Sequence, residues 1–552
     1  MFKPELLKSL KGYNSKTFLK DLSAGIIVGI VALPLAIAFA IASGVEPERG
    51  IYTAIVAGFL ISVLGGSKVQ IGGPTGAFAV IVFGVVQEFG FAGLATATVM
   101  AGILLILLGV FKMGGLVKFI PYTIVTGFTA GIAVTIFVGQ IGDFLGLTTG
   151  KMPGEFIGKI VVYAKSIGTI NWYSFGMALI SLIIIFVWPK VSKKIPGSLI
   201  VIILATLLNL VFEKCFGWHT DTIGSRYGEI PSSLPAPALP DFSIAAIIKL
   251  FPTAISIAVL AAIESLLSAV VADGMIGSKH DSNTELVAQG IANIASPLFG
   301  GIPATGAIAR TATNIKNGGR TPIAGIVHAV VLLLIMMLLG KYAVYIPMAA
   351  LSAVLVSVAW NMAGLPAVKA LLKGQKSDIC VLLVTFIITV FIDLTVAIEV
   401  GLGFAAFFFI KKMIDVSEVQ TKHNVLTGGI TDNGKEEELD IPEKTVVYEI
   451  EGPLFFGTVR KFELAMEKAK IDCKAFVIRM RNTNYIDAGG LRALEQCKEA
   501  CDRKKITIIL SGVHTQPYML MEKTGTLDLL GKENIFENIS EALNRAKEIS
   551  EK

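Results

Sequence analysis

Charge is scarce in this chain: Asp, Glu, Lys and Arg make up only 16% of it, against roughly a quarter in soluble domains. A water-facing surface over most of the length is therefore excluded. Cysteine is far sparser still. Cys215, Cys380, Cys473, Cys497 and Cys501 form no disulfide or metal framework. Cys497 and Cys501 share a helix face that offers too few ligands for structural zinc, so reduced thiols are expected. There is no nucleophile–base constellation, zinc signature or Gly-Lys-Ser/Thr phosphate loop, so no enzyme, catalytic residue, metal or cofactor is expected in the apolar part. Residues 1–20 are too polar, and the first apolar run too long, to resemble a cleaved signal peptide. The formal net charge of +6 is no nucleic-acid footprint, because residues 440–552 hold 18 basic and 18 acidic side chains.

What the chain has is apolar length. Hydrophobic residues are 53% of the total and mean hydropathy is +0.71. Runs that match or approach the roughly 20 residues of a bilayer-spanning helix recur up to about Lys411. Segments are expected at 22–42, 50–66, 75–89, 95–111, 120–141, 172–189, 196–213, 248–272, 285–299, 304–317, 321–340, 345–359, 378–393 and 395–410. The short polar-rich ones at 75, 285 and 304 are included because basic residues alternate between the two sides only with them. Lys68, Lys112, Lys118, Lys190, Lys193, Lys194, Lys279, Lys316, Arg320, Lys369, Lys373, Lys376, Lys411 and Lys412 then fall inside, together with the lysine-rich segment 1–20. Lys151, Lys159 and Lys165 fall outside, against the rule. So does the proline-rich 214–247 connection. The expected division is a cytoplasmic segment 1–20, a transport domain 21–412, a polar linker 413–439 carrying Lys435-Glu436-Glu437-Glu438, and a soluble α/β domain 440–552. In that last part strands are predicted at 445–450, 475–480 and 506–510, and helices at 459–470, 489–503 and 515–524.

One short element occurs twice: Gly72-Gly73-Pro74-Thr75-Gly76-Ala77 and Gly300-Gly301-Ile302-Pro303-Ala304-Thr305-Gly306-Ala307. It opens the third of the first seven segments and the third of the second seven. Seven being odd, the second set runs through the membrane inverted, and two interrupted helices meet head to head near the midplane. Their N-termini offer free N–H groups and partial positive charge, an anion site made of backbone, with hydroxyls from Thr75 and Thr305. Glu264 lies about halfway along its span, where a carboxylate costs roughly 2.5–3.5 kcal/mol on insertion scales. It reads as a coupling-ion group that takes a proton or, with Ser268 one turn on, a sodium ion; the alternative is a carboxylate hydrogen-bonded between helices. Arg310 can lend charge to the anion, pair with Glu264 or snorkel to the inner face. Asp393 and Glu399 read as loop charges. Gly25/Gly29 and Gly127/Gly131 read as close-packing steps.

Leu33-Pro34-Leu35-Ala36-Ile37-Ala38-Phe39-Ala40 resembles the sulfate permease (SulP) family of anion transporters. So do Gly73-Pro74-Thr75-Gly76 and the run from Ile263-Glu264-Ser265-Leu266-Leu267 through Ala272-Asp273, Gly300–Ala307, Arg310-Thr311-Ala312 and Gly318-Gly319-Arg320-Thr321-Pro322. The resemblance covers essentially the whole chain. It implies a polytopic α-helical membrane protein, a 7+7 inverted repeat with core and gate domains, and a C-terminal cytoplasmic STAS domain. It also implies a homodimer in the bilayer of the inner membrane. The anion would sit between the third and tenth helices, lined by Phe39, Thr75, Gly76, Thr305, Gly306, Ala307 and Arg310. Sodium-coupled bicarbonate members resemble this chain in the eighth helix but carry aspartate and threonine where it has Glu264 and Ser268. The longer carboxylate crowds a sodium site and favours a proton. Ala488, in Tyr485-Ile486-Asp487-Ala488-Gly489, stands where phosphorylated STAS relatives carry Ser or Thr.

The resulting expectation is a secondary active transporter of small inorganic anions, of the sulfate or bicarbonate class, working by alternating access with proton symport. A C4-dicarboxylate or other organic anion symporter is the alternative within that class. An uncoupled anion channel gains nothing from Glu264. A nucleobase permease of the same general fold lacks the STAS tail, and a STAS-signalling sensor lacks a phosphoacceptor at 488.

Overall fold

The computed structural model describes residues 2–115, 121–150, 152–192, 196–392, 394–422, 425–426, 439–468 and 473–551. Lys118, Lys151, Lys193, Lys194, Asp393, the 435–438 run and most of the 413–439 linker lie outside them. The rest falls into two units, Met1–Gly403 and Phe404–Lys552.

Each of the fourteen apolar segments contains a helix in the first unit and its C-terminal exit, although the one expected at 304 opens as strand. Nine of the described helices are long and apolar enough to cross a membrane. The third and fourth segments form one run, Gly76–Val110, broken at Gly90 (φ 67°, ψ −176°), a backbone angle that glycine alone adopts without strain. Helix pairing comes in symmetry mates, as an inverted repeat requires. Ser15–Ala42 packs on Ile323–Leu339, and its counterpart Ile244–Ile276 packs on Gly76–Val110. Tyr122–Gly139 packs on Lys376–Phe391, and Trp172–Val187 on Met348–Met362. The small-residue steps allow this approach. A methyl on Gly25 would lie 2.5 Å from Ala324 O, and one on Gly127 would lie 2.8 Å from Leu382 O. Span windows 172–190 and 197–216 are only 22% buried, against 72% for 244–276, so the former pair forms the outer wall and the latter the interior.

The first helix starts at Ser15, not 22, because Asn14 caps it by accepting from Thr17 N. Its buried Asp21 then accepts from Arg320 N, Thr321 N and Thr321 Oγ1, tying the helix to the second repeat. The N-terminal segment is no free tail either. Glu5–Ser9 is helical, and Glu5 N donates to Gly65 O at 2.9 Å.

The second unit is built on parallel strands Thr445–Glu451, Ala475–Asn482, Thr507–Ser511 and Ile535–Phe536. Val446, Tyr448, Ile450, Phe476 and Ile478 bury on one face, and Val447, Val477 and Ile509 on the other. Both faces are covered, as the near-continuous apolar runs of a parallel sheet demand. Helices Val459–Lys468, Ala488–Arg503 and Thr515–Thr524 match the expected ones. The sequence reading missed the strand at 535–536, helix Ile539–Glu551 and an antiparallel edge strand, Glu418–Lys422, paired with Thr445–Glu451. The last of these lies in the expected linker, where a polar stretch gave no hydrophobic alternation to read. Ala488 is exposed at a helix start capped by Asp487.

Candidate anion site

Extended chain inside a membrane must find partners for every peptide group. The two copies of the glycine-rich element find them in each other. Gly72–Gly73 and Thr305–Gly306 pair antiparallel, Gly72 opposite Gly306 and Gly73 opposite Thr305, and Ala307 N donates to Ile71 O at 2.8 Å. A helix follows each strand of this ladder: one starts at Gly76 and the other at Ile308. The second therefore begins later than the expected 304, because Thr305 and Gly306 are consumed as strand.

Neither N-cap residue, Thr75 or Ala307, closes its helix with a side-chain hydrogen bond. The first N–H groups of both helices thus keep the donor capacity and partial positive charge that draw an anion. Thr305 Oγ1 donates to Thr75 Oγ1 at 3.4 Å, which brings the two hydroxyls together. Phe39 closes one side: a methyl on Gly76 would lie 3.1 Å from Phe39 Cε1, 3.2 Å from Met362 Sδ and 3.3 Å from Ile136 Cδ1. A methyl on Gly306 would run into the Gln70 side chain.

Arg310 does not snorkel. It is 3% exposed, and its Nη2 donates to Pro74 O, so the guanidinium crosses to the other repeat and lies against Gly73. Its Nη1 is buried with no partner, a donor in reserve beside the ladder. Among the described residues it makes no ion pair with Glu264. That carboxylate is buried in Ile244–Ile276, on the helix whose Ser265 Oγ accepts from Gly306 N at 3.1 Å. Ser268 Oγ donates to Thr311 Oγ1 at 3.4 Å, and Thr311 Oγ1 accepts from Ile71 N at 3.0 Å. Glu264 and Ser268 thus sit on a helix fastened to the second interrupted segment and, through Thr311, to Ile71 just before the first.

The bracing behind the ladder escaped the sequence reading. Asn293 holds Ala304 from both sides, accepting from its N at 2.9 Å and donating to its O at 2.8 Å. Ile302 N donates to Thr53 Oγ1, and Ser296 Oγ donates to Ile302 O. Glu285 accepts from Gly66 N, Ser67 N, Gln70 Nε2 and Gln289 Nε2. Asn314 Nδ2 donates to Val69 O at 2.9 Å. The signal was there: the 285–299 segment is short and unusually polar, which is what a helix serving non-helical backbone inside a bilayer requires.

The sulfate permease family profile matches residues 18–385 and the STAS domain profile residues 437–542. The chain is 44% identical over 534 residues to a Bacillus subtilis (strain 168) protein named "Putative sulfate transporter YvdB", covering 96% of this chain and 98% of that one. It is 29% identical over 544 residues to the bicarbonate transporter BicA of Synechocystis sp. (strain ATCC 27184 / PCC 6803 / Kazusa), covering 95% and 94%. Among solved structures, the murine Solute Carrier 26 family member A9 anion transporter in its inward-facing state matches with a TM-score of 0.88. That match has 19% identity and covers 99% of this chain and 94% of that one.

Proposed function

The chain belongs to the sulfate permease family, and on that premise we propose that it is a proton-coupled symporter of small inorganic anions, of the sulfate or bicarbonate class, working by alternating access. The named relatives support anion transport. The observation that carries the coupling is Glu264: a buried carboxylate, unpaired with any cation among the described residues, one residue from the Ser265 that holds Gly306 and one turn from the Ser268 bonded to Thr311.

An anion entering between the helix N-termini and Arg310 adds negative charge close to a second negative group. Loading a proton on Glu264 removes that repulsion, and losing it on the far side restores it. Binding and protonation then favour each other, which is what symport needs. In this reading the anion meets the Gly76 and Ile308 N-termini, the Thr75 and Thr305 hydroxyls and Arg310, with Phe39 limiting its size. The protein sits in the inner membrane with its N-terminus and STAS domain in the cytoplasm, the orientation favoured by the lysine-rich segment 1–20.

The test is uptake of labelled sulfate and bicarbonate into proteoliposomes, with and without a proton gradient, by the wild type and Glu264→Gln. The variant retains anion binding and loses accumulation against a gradient, because the amide mimics the protonated acid and cannot cycle. Wild-type accumulation by Glu264→Gln would remove Glu264 from coupling, and sodium dependence in place of proton dependence would reassign the ion.

A further inference from the structure

The same transport unit carries a second feature, and the basic residues that break the topology rule lead to it. Lys159 lies in helix Phe156–Ser166, between two membrane segments on the side where positive charge is disfavoured. It lines a cavity of about 540 Å³ that reaches from the Arg226 region down to Thr135 and Ile136. Ile136 is shared: it lines the cavity and also packs against Gly76 at the opening of the first interrupted helix. The cavity is thus the antechamber of the site already described.

Charge in this antechamber is unevenly spent. Arg226 is neutralised by Asp143 at 2.7 Å and Asp221 at 3.1 Å. Glu88 and Glu155 are exposed, where water and salt screen them. Lys159 is half-buried, and its Nζ lies 4.3 Å from the centre of the Phe83 ring. Among the described residues no carboxylate lies within ion-pairing distance of it. Burial pulls its ammonium below the ordinary lysine value, with no neighbouring charge to offset the cost. Phe83 is seven residues beyond Gly76, about 10 Å along the helix at 1.5 Å per residue, whereas Glu88 is about 18 Å away. Lys159 is therefore the deepest unmatched charge on the way to the site.

We propose that Lys159 forms a peripheral docking site for small oxyanions, which captures the ion in the antechamber before it passes Ile136 to the helix N-termini. An ammonium over an aromatic face keeps its outer N–H bonds free for an anion, and a basic group in a low-dielectric cleft concentrates counter-ions locally. The inference rests on the anion-transport reading above.

The experiment measures initial rates of labelled sulfate and bicarbonate uptake in oriented vesicles, from each face, at low and high ionic strength. Lys159→Met raises KM from the antechamber face about three- to tenfold, with kcat little changed. It also flattens the salt dependence of KM, while Lys159→Arg stays near wild type. Lys159→Gln, which keeps polarity, serves if the Met variant inserts poorly, and it behaves as Met. A wild-type KM and salt dependence in the Met and Gln variants overturns the docking site while leaving anion transport intact. An equal rise in KM from both faces also overturns it, since that is damage to the central site. A wild type that takes up neither anion defeats the transport reading and this inference with it.

Discussion

The two copies of the glycine-rich element are alike in backbone and unlike in chemistry. Each supplies two residues to one ladder and opens one helix. Yet the first helix, as far as its break at Gly90, buries only apolar side chains, whereas the second, Ile308–Lys316, has nine residues and buries Arg310, Thr311 and Asn314. All three of these side chains reach across to the first repeat, at Pro74 O, Ile71 N and Val69 O. Glu285 does the same at Gly66 and Ser67. Side chains of the first half reach the second-half element only at its start, through Thr53 at Ile302 and Arg49 at Gly300 O, while Asp21 holds Arg320 and Thr321 beyond its helix. An inverted repeat imposes symmetry on the path of the chain only. Here one half supplies the polar clamp and the charge, and the other supplies the clamped strand and the smooth wall with Phe39.

The largest effect is expected where the clamp is densest. Glu285→Leu strips the acceptor from four buried donors, each costing about 1–3 kcal/mol when left unpaired. Thr53→Val, the first-half contact at the second glycine-rich element, orphans chiefly Ile302 N. Thermal unfolding in detergent should show a severe loss for the first and a mild one for the second. Equal losses would break the asymmetry.

Next comes charge. Arg310→Met should weaken sulfate binding about ten- to a hundredfold, the worth of one hydrogen bond to an ion at about 1.5–3 kcal/mol. Arg310→Lys recovers only part, because a compact ammonium cannot hold Pro74 O and the anion in the same fork. Titration calorimetry reads both, and an unchanged Kd in Arg310→Met moves the anion elsewhere.

A smaller effect sharpens the comparison between the two threonines. Thr305 spends its proton on Thr75, so Thr75 holds the hydroxyl left to donate. Thr75→Val should cost about 0.5–1.5 kcal/mol of anion affinity, and Thr305→Val less. The opposite order would mean that Thr305, not Thr75, makes the stronger hydroxyl contact with the anion.

Smallest of all is the effect of the second unit on selectivity. Deleting residues 418–552 removes the edge strand together with its partner Thr445–Glu451, which avoids leaving an unpaired strand to aggregate. Transport should slow while the rank order of competing anions holds. A changed rank order would give the STAS unit a part in the pocket.

Periodicity, length and charge alternation were enough to count fourteen membrane segments, to pair the two glycine-rich elements and to single out Thr75, Glu264, Thr305 and Arg310, whereas Phe39 came only from the family resemblance. Those features are local: an apolar run must leave water, a buried carboxylate must have a use, and glycine with proline interrupts a helix wherever it lies. Only the tertiary structure decided that Thr305 is strand and not helix, that Arg310 reaches Pro74 O in preference to Glu264, and that Glu285, Asn293 and Asn314 brace the ladder. Which donor meets which acceptor across more than two hundred residues depends on how helices pack. The same polar side chain facing lipid, a cavity or a stranded peptide group reads identically in one dimension.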